Sequence, residues 1–333
     1  TGTQFAAASG IGVQVLNDTT TTYWASQQDD AGNKSACSAT VDASVTYRED
    51  SLFPPTPTVL TVLPASPANN NTPKVSGTLS GIDSYDIDAS IVRIFTNSTC
   101  TTFVAQGSDY DFRVGGGIQV NQTGNTTVTY YAHVIDPAGN DGGCSTTGVS
   151  FTEDSIPPAT ATSALTVPWG NANSNANNNS PKVRGVIPLD AGDPGNTTIR
   201  VFSNSTCTGF LAQGNDWEFT DGGITVSVSD NTISTFYVQA IDRAYNDGGC
   251  STAYATYTED SIDASAPVAL TVPPASPANM NDAGIRGTAE PQGWVRIHTN
   301  NQCDGGIVGQ GTGAQFAAAS GIGVQVNDNT STP

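Results

Sequence analysis

Carboxylates are the side chains of this sequence whose types and spacing could do chemistry. One stretch holds Glu49 and Asp50, then Asp83, Asp86 and Asp88, then Asp136, Asn140 and Asp141; the next holds Glu153 and Asp154, then Asp190 and Asp193, then Asp242, Asn246 and Asp247. Hard oxygen donors in such numbers suit calcium, which takes several at once. Asp, Asn and Gly are also ordinary turn formers, and no EF-hand loop is present. Both readings therefore stay open, and the fold must decide which donors meet.

Other chemistry has little to stand on. His133 lies in an alternating strand and His298 occupies the place of Phe95 and Phe202, so both read as strand residues. No Ser or Cys has a His at matched positions, and no Gly-rich loop opens a helix, so an enzyme is not expected. A formal charge of −19 leaves no basic patch to neutralise phosphates, which argues against nucleic acid. No run of apolar residues is long enough to cross a membrane, and without an initiator Met or signal peptide the chain reads as a mature product or a window of something longer. Asn97, Asn125, Asn196 and Asn204 stand in glycosylation triplets. Trp24, Tyr131 and Tyr237 share a phase that fits sheet packing.

The elements that must position the carboxylates repeat. Thr1 to Val15 returns with one substitution as Thr312 to Val326, and anchoring on Phe5, Phe112, Phe219 and Phe316 gives steps of 107, 107 and 97 residues. A period of this size means an array of domains rather than a solenoid. The divisions are 1–51, the C-terminal half of a unit; 52–155 and 156–261, complete units; and 262–333, the N-terminal part of another. Within 52–155, strands are expected at 60–62, 74–78, 91–96, 118–120, 127–135 and 149–152, separated by Pro- and Asn-rich turns. The prolines of Phe53-Pro-Pro-Thr-Pro57 make a semi-rigid linker. No helical periodicity occurs. The fold class is all-β, a tandem array of Greek-key immunoglobulin-like sandwiches with half-domains at both ends.

Six cysteines follow the repeat, Cys100, Cys207 and Cys303 in one phase and Cys37, Cys144 and Cys250 in the other, which points to disulfides in an oxidising compartment. Two pairings are open. Cys100 with Cys144 and Cys207 with Cys250 keep each bond inside one repeat. A strand of about seven residues, however, would hold Cys100 and Cys144 roughly 23 Å apart at opposite ends of the sandwich. That favours a link between domains, such as Cys100 to Cys250.

Asp-x-Ala-Gly-Asn after the penultimate strand, Thr-Glu-Asp-Ser closing each unit, and Val-Ser-Gly-Thr followed by Val-Arg-Ile-Phe-Thr-Asn resemble bacterial immunoglobulin-like repeats of giant cell-surface proteins. The resemblance implies an extracellular array and, in some such arrays, calcium at the junctions. In that topology the preceding Glu-Asp arrives beside the loops that carry Asp83, Asp86, Asp88, Asp136 and Asn140, and the next junction gathers Glu153, Asp154, Asp190, Asp193, Asp242 and Asn246. The expected function is a structural stalk or filament, with an adhesin binding a glycan, surface or protein as the alternative. The expected partners are copies of the chain, head to tail, or flanking repeats of one polypeptide. In the first case strands of 1–51 complete 262–333 of the next copy and bring Cys37 to Cys303, although 1–15 and 312–326 then offer the same strand twice.

Overall fold

A computed structural model of the chain describes residues 2–38, 44–161, 165–168, 175–188 and 197–326. The first elements are one helical turn, α1 (Gly2–Phe5), and an antiparallel pair, β1 (Thr20–Trp24) and β2 (Ser44–Arg48). Next come β3 (Thr58–Leu63), β4 (Lys74–Thr78), β5 (Ile91–Phe95), β6 (Phe103–Ser108), α2 (Asp109–Arg113), β7 (Ile118–Gln119), β8 (Thr127–Ile135), β9 (Asp141–Cys144) and β10 (Val149–Thr152). The pattern returns as β11 (Asn175–Ala176), β12 (Lys182–Val183), β13 (Thr198–Phe202), β14 (Phe210–Asn215), α3 (Asp216–Asp221), β15 (Ile224–Thr225), β16 (Ile233–Ile241), β17 (Asp247–Cys250) and β18 (Ala255–Glu259). The last elements are β19 (Val268–Thr271), β20 (Asp282–Thr288), β21 (Trp294–His298), β22 (Ile307–Thr312), α4 (Gly313–Ala317) and β23 (Ile322–Gln325).

Residues 52–155 fold as two facing sheets, ordered β3-β4-β7 and β10-β8-β5-β6, with β9 folded back on β8. Alternation explains the faces. Along β8, Tyr130, Ala132 and Val134 are buried while Tyr131, His133 and Ile135 turn the other way, and on β5 Val92 and Ile94 point inward. These side chains meet Val75, Ile118, Val120 and Phe151 in one core. Consecutive strands cross between sheets, as in an immunoglobulin-like sandwich. The all-β fold expected from the sequence is the one observed.

The repeated phenylalanine is held by a feature that sequence periodicity missed. Ser108 accepts a hydrogen bond from the Asp111 backbone N–H and caps α2, whose Phe112 is fully buried. Asn215 does the same for α3 and Phe219, and Thr312 forms a capping box with Gln315 ahead of Phe316. A five- or six-residue helix is too short to show a period. Gly77 leaves room for the ring: a Cβ there would lie 2.6 Å from Phe112 Cζ.

By contacts the chain forms two compact units, Thr1–Pro168 with Lys182–Val226 and Thr235–Ala255, and Trp169–Pro181 with Ser227–Ser234 and Thr256–Pro333. In the first, β13 pairs with β14 and β16 as β5 pairs with β6 and β8, and β12 pairs with β15. In the second, β11 runs parallel to β18, β19-β20-β23 form one sheet and β21-β22 another.

Cys100 bonds to Cys144 and Cys207 to Cys250, while Cys37 and Cys303 are unpaired and exposed. The link between domains, Cys100 to Cys250, is not formed. The reason is β9: after the Asp136 turn the chain runs back along β8, from Asp141 opposite Ile135 to Cys144 opposite His133. That return brings Cys144 toward the level where Phe95 pairs with Tyr131 and the Cys100 loop begins.

Candidate metal centre at a domain junction

The Asp136–Asn140 turn is built by its own side chains. Asp136 Oδ1 accepts from the Asn140 backbone N–H at 2.8 Å and Oδ2 from Asn140 Nδ2 at 2.8 Å. The same Nδ2 donates to the carbonyl oxygen of Asp50 at 3.1 Å, so the end of one linker is fixed to the next domain's turn. The second junction repeats the device. Asn246 closes on Asp242 and donates to the carbonyl oxygen of Asp154 at 2.9 Å, while its Oδ1 accepts from Asn69 Nδ2 at 2.7 Å. Linker and turn are also joined by Thr56 Oγ1 to the Gly142 carbonyl and Thr160 Oγ1 to that of Gly248, both at 2.6 Å.

At the first junction Asp50, Asp86 and Asp136 come together, one carboxylate oxygen of each lying within 4.8 Å of the others. Oxygens bound to one calcium at about 2.4 Å lie no farther apart than this. Asp86 is almost fully buried, and its Oδ1 has no hydrogen-bond partner. Burial raises its carboxyl above the ordinary range, and Asp50, Asp136 and Asp83 push it further the same way. Arg48 opposes them: its guanidinium lies 3.0 Å from Asp50, 3.5 Å from Asp83 and 3.9 Å from Asp86, stacked 4.1 Å above the Tyr85 ring. One guanidinium thus faces four carboxylates. The all-oxygen donors, the orphaned oxygen and the surplus negative charge fit a divalent cation.

Other expected ligands are used elsewhere. Glu49 Oε2 accepts from the Asp18 backbone N–H at 2.7 Å, and the buried Glu153 from that of Asn125 at 2.6 Å. Each glutamate ties down a turn of its own domain whose Asp18 or Asn125 has positive φ. Asp88 is held by Arg113 at 3.0 Å, alongside buried Asp109. Asp83 pairs with Arg48, and Asp154 Oδ1 accepts from the Ile156 N–H at 3.2 Å. Asp242 and Asn246 bond to each other. Asp190 and Asp193 lie outside the described residues. Sequence reading passed over Arg48, whose place directly before Glu49-Asp50 was its only signal, and Asn69, which had none.

His133 bonds to Asp141, and His298 Nδ1 lies 2.9 Å from the Gly305 carbonyl oxygen. The backbone N–H of Gly143, with His133 assisting, holds the Asp141 carboxyl below the ordinary range.

No protein-family model and no curated protein matches the chain. Solved structures do. The chain is similar to fibronectin(III)-like and immunoglobulin-like domains. One is the fibronectin(III)-like modules of CbhA from Clostridium thermocellum, at 10% identity over 61% of this chain and 94% of that one, TM-score 0.36. Another is the FN1-FN3 domains of chicken CNTN1, at 11% identity over 82% and 88%, TM-score 0.31. A marsupial T cell receptor gives 10% identity over 72% and 83%, TM-score 0.37. At such identities the likeness concerns fold alone, and the strand order described above carries the assignment.

Proposed function

We propose that the chain is a structural stalk of tandem immunoglobulin-like domains outside the cell, whose junctions are stiffened by side-chain clamps and, at the Asp50–Asp86–Asp136 junction, by calcium. The observation that carries this reading is the clamp made twice in the same form, Asn140 to Asp50 and Asn246 to Asp154. A binding surface would not need to fix linker to turn identically at successive domains, whereas a rod would. The two disulfides support an oxidising, extracellular setting. Calcium would add charge neutralisation that Arg48 alone leaves incomplete.

The test is small-angle X-ray scattering of the whole chain in calcium and after chelation. A stalk gives an extended particle whose distance distribution narrows and lengthens with calcium, and Asp86→Asn removes the response. A compact particle in both buffers would sink the reading.

A further inference from the structure

Two parts of the chain each leave bare what a complete domain covers. The β1-β2 pair matches β8-β10: Tyr23 lies opposite Val45 as Tyr130 lies opposite Val149. The following turn is also the same, with Asn33 closed on Asp29, and Ser38 Oγ accepts from the Ala25 N–H as Ser145 Oγ does from that of Ala132. Yet Tyr47, at the place of the fully buried Phe151, is 53% exposed. The stretch 268–325 matches the other portion of the sandwich, with β19-β20-β23 in the place of β3-β4-β7 and β21-β22 in that of β5-β6. Its core of buried residues is only Val295, Phe316 and Ile322. Leu270, at the place of Leu60, is 59% exposed, and among the described residues β21 has a strand on one side only.

We propose that these are complementary halves, and that the occupant of each is a second copy of this chain. The β1-β2 pair of one copy docks on residues 262–326 of the next, with β1 along the free edge of β21. Trp24 then lies opposite His298, as Tyr131 lies opposite Phe95. Tyr23 and Tyr47 close over Leu270 and Val295. Sequence identity selects the occupant: the missing strands, their register and their turn are all carried by the same chain. The contact joins unlike surfaces, so it does not close on itself and propagates. Thr312 to Val326 keeps its place on β20, so Thr1 to Val15 plays no part in the joint.

The cysteines mark the same joint. Cys37 stands where Cys144 does, and Cys303, at φ 51°, where Cys100 and Cys207 adopt φ 48° and 50°. Docking brings the two exposed thiols together. They are oxidised by a small-molecule disulfide such as oxidised glutathione: one S–S bond forms between the copies, the two thiols give up two protons and two electrons, and the oxidant leaves as two thiols.

The joint rests on the stalk reading and names its end contact. The 333-residue protein, treated with oxidised glutathione, is examined by non-reducing electrophoresis, light scattering and peptide mapping. Expected are multiples of 34.1 kDa that reductant returns to one band, with Cys37–Cys303 as the linking peptide. Cys37→Ser with Cys303→Ser removes the covalent ladder and leaves concentration-dependent association. Tyr47→Asp with Leu270→Asp, at exposed positions, weakens association more than tenfold with unchanged circular dichroism. A monomer at every concentration, a Cys37–Cys303 bond inside one chain, or links of like cysteines overturns it. Calcium-dependent scattering of that monomer still reads the stalk separately.

Discussion

Asn140 Nδ2 bridges the Asp136 carboxylate and the carbonyl oxygen of Asp50, at 2.8 and 3.1 Å. One amide group therefore closes a turn and fixes the incoming linker. Asn140→Ala removes both bonds and leaves Asp136 facing Asp50 and Asp86 without a donor. The expected cost is about 1–3 kcal/mol, with faster proteolysis between residues 51 and 57. Mass-spectrometric mapping of limited digests checks it, and an unchanged cleavage rate would show that the linker is held by other contacts.

Asp86 makes the stability of this junction depend on pH in a definite direction. Its folded carboxyl holds a proton more tightly than the unfolded one, so the native state binds more protons across the window above pH 3.8. Stability then falls as pH rises through that window and stays lowered above the folded pKa. Without calcium, Asp86→Asn should raise stability at neutral pH by on the order of 1 kcal/mol and flatten this dependence. With calcium the order reverses, because the wild type gains a bound ion and the variant has lost a ligand. Thermal melts of both proteins across pH, with calcium or chelator, check the crossing.

The strands of 52–155 were legible because alternation is a strong signal when one face is buried. Lys74–Thr78, Thr127–Ile135 and Val149–Thr152 lie where the pattern places them. The capped helical turn around Phe112 was not legible, since five residues show no period. The return strand β9 was equally hidden: Asp-Gly-Gly-Cys has no alternation, and missing it put Cys144 at the wrong end. Of the site, sequence supplied the carboxylates but not their division of labour. Whether a Glu-Asp pair faces its own turn or the next domain depends on strand parity: Glu153 points into the sandwich, and Asp154 belongs to the linker.

Glu153 should be costly to change although it lies outside the acidic cluster. It is fully buried, with Oε2 accepting from the Asn125 N–H and from Ser155 Oγ, and Oε1 has no hydrogen-bond partner. Glu153→Gln keeps the shape but places an amide where a carboxylate accepted. Glu153→Ala leaves the Asn125 N–H unsatisfied and opens a void. We expect losses of about 1 and about 3 kcal/mol respectively. Chemical denaturation would register both, and calcium response should survive in each, because Glu153 is no part of the Asp86 cluster.

Gly142 separates domain stability from junction geometry. A Cβ at this position would lie 2.5 Å from the Pro54 carbonyl oxygen and 2.7 Å from Val134 Cγ1, and at Gly248 the corresponding approach to the Pro158 oxygen is 2.4 Å. In both places the linker backbone lies against the return strand with no room for a methyl group. Pro54 belongs to a loosely tethered, exposed segment, whereas Val134 belongs to the packed core, so the linker is what yields. Gly142→Ala should therefore displace residues 52–57, stretch the Thr56 Oγ1 bond to the Gly142 carbonyl, and broaden the interdomain distance distribution in scattering. The melting temperature of the domain should change by only a few degrees, as expected for about 1 kcal/mol or less. Thr56→Val, which loses that hydrogen bond without a clash, should give a weaker version of the same result. If Gly142→Ala instead unfolds the domain while the scattering of the folded fraction is unchanged, the glycine serves β9 packing and the linker contact is incidental.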